Sequence, residues 1–270
     1  MENNVINSEF QNIRREFLPL FMPALWWTDW DARGAWADQI PFIFFVSSSA
    51  KPRLTVVIGK GTTPAFLAAC QATHRLERGG RVVGILPAAE SFPPPDIADL
   101  LTSRYSACSR LLSGDLEDLE GAAGPGEVGC LILGADILRQ IDATSMAMLR
   151  SRLAADAVVL SMGFAEGTAA ASCRSLMDEG VSFSFMHGDG LQVTVGTGDP
   201  DAVLPRLLDQ AGSDPGLGFA ISQLFYRLGQ GLRSHQRSAG RSGRAFRKAH
   251  AEHHGICRQA RPEHCHRGRI

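Results

Sequence analysis

Between Leu54 and Gly196 short β-branched runs alternate with longer segments of helical character, and this alternation restricts the fold more than any other feature of the chain. The apolar runs are LTVVIG (54–59), RVVGIL (81–86), VGCLIL (128–133), AVVLSM (157–162), VSFSFM (181–186) and LQVTVG (191–196). The helical segments include PAFLAACQATHRLE (64–77), DILRQIDATSMAMLRSRL (136–153) and AAASCRSLMDEG (169–180). Strands alternating with helices need crossover connections, which place them in a mainly parallel α/β sheet covered on both faces. The last two runs break that rule. Only HGDG (187–190) joins them, too short for a helical crossover, so they must form an antiparallel hairpin. A further short strand in SRLLSG (109–114) completes a set of seven.

A chain of 270 residues, 44% of them hydrophobic, suffices for one α/β domain with appendages. The start, MENNVINSEF, has no basic stretch followed by an apolar run, and FLPLFMPALWW and IPFIFFV fall short of the roughly 18 to 20 apolar residues of a spanning helix. The expectation is a cytoplasmic protein without a membrane span. Six scattered cysteines (Cys70, Cys108, Cys130, Cys173, Cys257, Cys265) read as reduced structural thiols.

The net charge of -1 conceals a division. Residues 233–270 hold ten Arg/Lys and two acids, leaving 17 basic and 26 acidic residues in the first 232. A basic tail so poor in large apolar side chains cannot build a core. The expected organisation is therefore a tryptophan-rich helical segment over 1–50, an α/β domain over 51–200, a helical segment over 201–232 and an unstructured basic tail over 233–270.

The stretches PFIFFVSSSAKPRLTVVIG, FLAACQA, SRYSACSRLLSG and FSFMHGDGLQVTVG, together with six parallel strands closed by an antiparallel one, carry a family resemblance over about Pro41 to Gly198. The chain resembles class I S-adenosylmethionine (SAM)-dependent methyltransferases, among them the bacterial group related to cephalosporin hydroxylases and rhamnosyl O-methyltransferases. The resemblance implies a Rossmann-like seven-stranded sheet with an antiparallel last strand and SAM as cofactor. It also implies a sugar or other small hydroxyl substrate in surface polysaccharide biosynthesis, with a glycosyltransferase as partner. Cofactor-binding positions carried over are Gly59, Gly61, Thr62 and Thr63 in the turn after the first strand, with Thr63 as helix N-cap before Pro64. Asp115 either faces the adenine or simply caps the segment DLEDLE.

Against that pattern the carboxylates are missing. Val57 stands where the family has the acid of its first strand, and Leu86 where a carboxylate would hold the ribose hydroxyls. Gly134 and Ile137 replace the Asp and His after the fourth strand, Met162 and Gly163 a His-Asp pair after the fifth. Asp136 and Glu90 lie close by, the first reading as a helix N-cap and the second as a solvated loop residue. No catalytic residue is assigned. Two functions follow: a methyltransferase that holds SAM through backbone groups, or a catalytically inactive relative that serves as a binding or scaffold module.

Other clusters carry less. His187 and Asp189 form either an acid/base pair or a plain Gly-Asp-Gly hairpin turn. His250, His253, His254, Cys257, His264, Cys265 and His266 are metal-ligand types, but without the spacing of a zinc finger, so no metal site is expected. The tail arginines lack interleaved aromatic residues, which argues against nucleic acid. Trp26, Trp27, Trp30 and Trp36 either pack on the sheet edge or form a lid or contact surface.

Overall fold

The computed structural model describes residues 19–32, 35–88, 93–162, 175–177, 180–199 and 202–236. Its strands are β1 (Leu54–Ile58), β2 (Arg81–Leu86), β3 (Ser109–Ser113), β4 (Val128–Leu133), β5 (Leu153–Met162), β6 (Gly180–Phe185) and β7 (Leu191–Gly196). They form one seven-stranded sheet in the order β3-β2-β1-β4-β5-β7-β6. β1 to β5 pair in parallel, and β7 runs antiparallel to both β5 and β6. This is the methyltransferase-type arrangement expected above. The hairpin follows from the turn, where Gly188 and Gly190 take φ of 63° and 78° and Gly190 N donates to His187 O at 3.2 Å.

The helices are α1 (Ile40–Ala50), α2 (Thr63–Leu76), α3 (Pro95–Leu100), α4 (Leu119–Ala122), α5 (Ala135–Gln140), α6 (Ala143–Arg152), α7 (Val203–Ser213) and α8 (215–236). Two apolar clusters sandwich the sheet. On one face Val57, Ile132 and Leu160 meet α1, α2, α7 and α8, and on the other Val56, Ile58 and Leu131 meet Leu119, Ile137 and Leu149 of α4 to α6. Burial on both faces explains why β1, β2, β4 and the second half of β5 read as continuous apolar runs, whereas the half-buried edge strand β6 alternates polar and apolar residues in VSFSF.

Boundaries differ from the sequence reading at three places, one of them β5, which begins at Leu153, four residues before the run AVVLSM. The helical pattern over 136–153 breaks at Ile141 and Asp142, because the Asp142 carboxylate accepts from Ser145 N at 2.8 Å and so starts a new helix. The segment 169–180 lies largely outside the described residues. At the other end, α8 runs through Gln236, so Arg233 to Gln236, assigned to the tail by charge, belong to the packed body. Arg233 pairs with the buried carboxylate of Asp38, His235 stacks on Trp27 at 4.1 Å, and Gln236 Nε2 donates to Thr28 Oγ1 at 2.6 Å. Gly229 makes this close crossing feasible, since a Cβ there would lie 2.4 Å from Asp38 O. A count of charges misses such contacts because one helix face, not overall composition, decides packing.

Candidate functional site

In an open α/β sheet a ligand crevice forms at the carboxyl edge where the loops of neighbouring strands leave for opposite faces. Here that point lies between β1, which leads into α2, and β4, which leads into α5 on the other face. The turn after β1 has Gly59 at φ 112° and Gly61 at φ 74°, conformations that favour glycine. Gly59 N donates to Ile85 O at 3.2 Å, and Gly134 N donates to Ile58 O at 2.9 Å, which locks the turn between its neighbours. Thr62, not Thr63, is the N-cap of α2, and Pro64 occupies the second helical position. Thr62 is buried and its Oγ1 donates to Gly59 O at 2.7 Å, while Phe66 N donates to Thr62 O. The cap position thus lies one residue earlier than the Thr-Pro pattern suggested, and Thr62 caps without a side-chain hydrogen bond to the helix, its hydroxyl being turned back into the loop.

The carboxylate that meets this loop comes from across the crevice. Asp136, the second residue of α5, accepts from Lys60 N through both oxygens, at 3.1 and 3.0 Å. Gly134 is the N-cap, and so Asp136 is not the cap that the sequence suggested. A Cβ on Gly59 would lie 2.8 Å from Asp136 Oδ1, and one on Gly134 would lie 2.6 Å from it. Gly59 is required by its φ of 112° and by Ile137 Cγ1, which would also lie 2.8 Å from its Cβ, whereas a side chain at Gly134 would displace the Asp136 carboxylate. Lys60 and Asp136 are 76 residues apart, a pairing visible only once β1 and β4 are known to be neighbours.

Val57 and Leu86 are fully buried, with 0% exposure, so the two positions at which the resemblance implies acids are packed apolar sites. Val57 sits in register between Gly84 and Ile132. Ile137 presses its Cγ1 to within 2.8 Å of where a Gly59 Cβ would stand, and Met162 is buried at the end of β5. Glu90 and Gly163 lie outside the described residues. Asp115 lies at the end of β3, two strands from β1, and is exposed. Its carboxylate accepts from Glu117 N at 3.0 Å, and Asp118 in return accepts from Asp115 N at 3.0 Å. This capping box is the plainer of the two roles considered for Asp115. The structure thus brings Gly59, Gly61, Thr62 and Thr63 together at the crevice and sets Asp115 about 10 Å to the side, at two strand spacings.

The tryptophans divide. Trp30 and Trp36 are core residues, Trp26 packs on Phe44 with ring centroids 5.6 Å apart, and Trp27 is exposed against His235. Their segment is fixed to the later turns of α2: Gln71 Nε2 donates to Trp27 O at 2.7 Å, and Asp29 takes Arg75 and Arg104 at 2.7 Å each and Tyr105 Oη at 3.0 Å. Burial pushes the Asp29 carboxyl up, but the hydrogen bonds from Arg104 and Tyr105 and the Arg75 charge outweigh it and hold it below the usual carboxylate range. Gln71 lies eight residues beyond Thr63, about 12 Å along the helix, so these contacts anchor the segment away from the glycine turn.

Cys70, Cys108 and Cys130 are free thiols whose pKa burial raises, that of Cys130 to about 12, as befits inert structural residues. Cys173, Cys257, Cys265 and the tail histidines from His250 onward lie outside the described residues. Among the described residues no group of three His, Cys, Asp or Glu is placed to hold a metal ion, and no helix is long and apolar enough to cross a membrane.

No protein-family model and no curated protein matches the sequence. Among solved structures, a methyltransferase from Geobacter sulfurreducens aligns with TM-score 0.47 and 16% identity, covering 71% of this chain and 87% of its own. A putative O-methyltransferase from Klebsiella pneumoniae aligns with TM-score 0.45 and 10% identity over 70% and 96% of the two chains. An O-methyltransferase of tomaymycin synthesis from Streptomyces achromogenes, solved in complex with SAM, aligns with TM-score 0.44 and 17% identity over 59% and 80%.

Proposed function

We propose that this protein is a methyltransferase-like domain that meets SAM only weakly at Gly59, Gly61, Thr62 and Thr63 and works as a binding or scaffold module rather than as an efficient catalyst. The observation that carries the proposal is the bridged crevice. At the switch point, where an α/β sheet offers a ligand its best access, Asp136 already occupies the Lys60 N–H, and apolar side chains fill both places where acids would hold the cofactor. The glycine turn retains the shape of a cofactor loop, which supports residual binding. The lost carboxylates remove charge-assisted hydrogen bonds worth roughly 1.5 to 3 kcal/mol each.

Methyl transfer from a sulfonium that is already activated depends mostly on proximity and orientation. A site that holds the cofactor loosely gives up that orientation first. A sugar hydroxyl as the ancestral acceptor, a glycosyltransferase as the partner and a cytoplasmic location rest on the sequence resemblance and belong to the same proposal.

Ultraviolet cross-linking with methyl-labelled SAM, followed by peptide mapping, tests the location. Label is expected on the peptide that contains Gly59 to Thr63, at millimolar cofactor and competed by S-adenosylhomocysteine. Specific label confined to another part of the chain would show that the turn is no cofactor loop.

A further inference from the structure

An opening lies at the carboxyl edge of the sheet but at its far end from β1, between the β6–β7 turn and α8. It encloses about 640 Å³, within the range of about 300 to 1,000 Å³ typical of small-molecule sites. Phe183, Met186 and His187 from the hairpin face Phe219, Ser222 and Tyr226 from α8. The strand order puts four strand spacings, about 19 Å, between this opening and the turn after β1, so it is separate from the crevice described above.

Three observations point to a ligand. Both ring nitrogens of His187 are buried and without a hydrogen-bond partner. A buried polar group left unpaired costs about 1 to 3 kcal/mol, so the imidazole is held at a cost that a suitable ligand would recover. The ring is fixed in place by Phe185, with centroids 5.8 Å apart, and by Tyr226 at 5.6 Å, while the His187 backbone carbonyl accepts from Gly190 N and Gln39 Nε2. Second, of the seven large apolar side chains exposed among the described residues, Met186, Phe219 and Tyr226 line this one opening, the first two at 70% and 67% exposure. Third, the described residues that line it include no Lys, Arg, Asp or Glu. The walls are thus aromatic and uncharged, with one unsatisfied imidazole.

We propose that this groove is a binding site for an uncharged, planar aromatic molecule bearing a hydroxyl group. The rings of Phe183, Phe219 and Tyr226 supply the stacking surface. Burial lowers the pKa of His187 and keeps its imidazole neutral, with one nitrogen as acceptor and the other as donor. A ligand hydroxyl donates to the acceptor nitrogen and so satisfies the group that the protein leaves unpaired. A carboxylate or an ammonium would enter without a counter-charge and is disfavoured.

Fluorescence titration of the full chain with 2-naphthol, and with 2-methoxynaphthalene as the partner that cannot donate, tests the site. Saturable binding of 2-naphthol is expected, about tenfold tighter than that of 2-methoxynaphthalene. His187→Phe, which keeps the ring packing, should remove that preference, and Ser222→Trp, which fills the groove, should abolish binding of both while the circular dichroism spectrum stays native. The proposal is overturned by absence of saturable 2-naphthol binding, by equal affinities in the wild type, by a preference that survives His187→Phe, or by unaltered binding in folded Ser222→Trp. A chain that dimerises in solution and becomes monomeric on Phe219→Glu would assign the surface to a second copy instead, which also overturns it.

Discussion

Val57→Glu is expected to destabilise the protein by at least about 3 kcal/mol instead of restoring a cofactor acid, because an unpaired carboxylate would enter a site with no access to water. Val57 has 0% exposure and shares the apolar cluster of Phe66 and Ile132 between the sheet and helices α1 and α2. Its β2 neighbour is Gly84, where a Cβ would lie 2.8 Å from the Phe66 ring, so the helix is packed too closely to yield room. At roughly 2 to 4 °C per kcal/mol for a chain of this size, the melting temperature should fall by about 6 to 12 °C. An unchanged melting temperature, with SAM bound more tightly, would show that the site opens over Val57 after all.

Phe225→Ala should cost about 3 to 5 kcal/mol, measured by denaturant unfolding, as for other large aromatic residues removed from a core. Phe225 is fully buried in α8, with its ring 4.9 Å from Phe42, 5.6 Å from Phe45, 5.9 Å from Phe185 and 6.0 Å from Phe21. It thereby joins α8, the helix before β1, the β6–β7 hairpin and the N-terminal segment in one aromatic cluster. A loss below about 1 kcal/mol would mean that α8 is an appendage to the sheet and not part of its cover.

The sheet was legible in the sequence because its determinants are local. Apolar runs such as VGCLIL mark strands, and the four residues HGDG leave room only for a hairpin. The break at Asp142 was not legible as such, since the residues on both sides read as good helix and a single side-chain cap decides the matter. The end of the folded body was misplaced at Arg233 for a related reason: the basic bias begins there, but the contacts of Arg233, His235 and Gln236 with the N-terminal segment do not show in composition.

At the site, the apolar residues Val57 and Leu86, at the places where the resemblance implies acids, could be read from the sequence directly. What replaced them could not. The bond from Lys60 N to Asp136 joins segments that are neighbours only through the β1–β4 pairing, and the unpartnered His187 ring depends on how α8 returns over the hairpin. Both are consequences of tertiary packing, to which spacing within one segment is blind.

The reading of the crevice stands or falls with the affinity for SAM. Two missing charge-assisted hydrogen bonds should weaken binding by about two to four orders of magnitude, at 1.4 kcal/mol for each factor of ten. Isothermal titration of the full chain with SAM should therefore give a dissociation constant in the high micromolar to millimolar range. A low-micromolar constant would contradict a crevice bridged by Asp136 and lacking its acids.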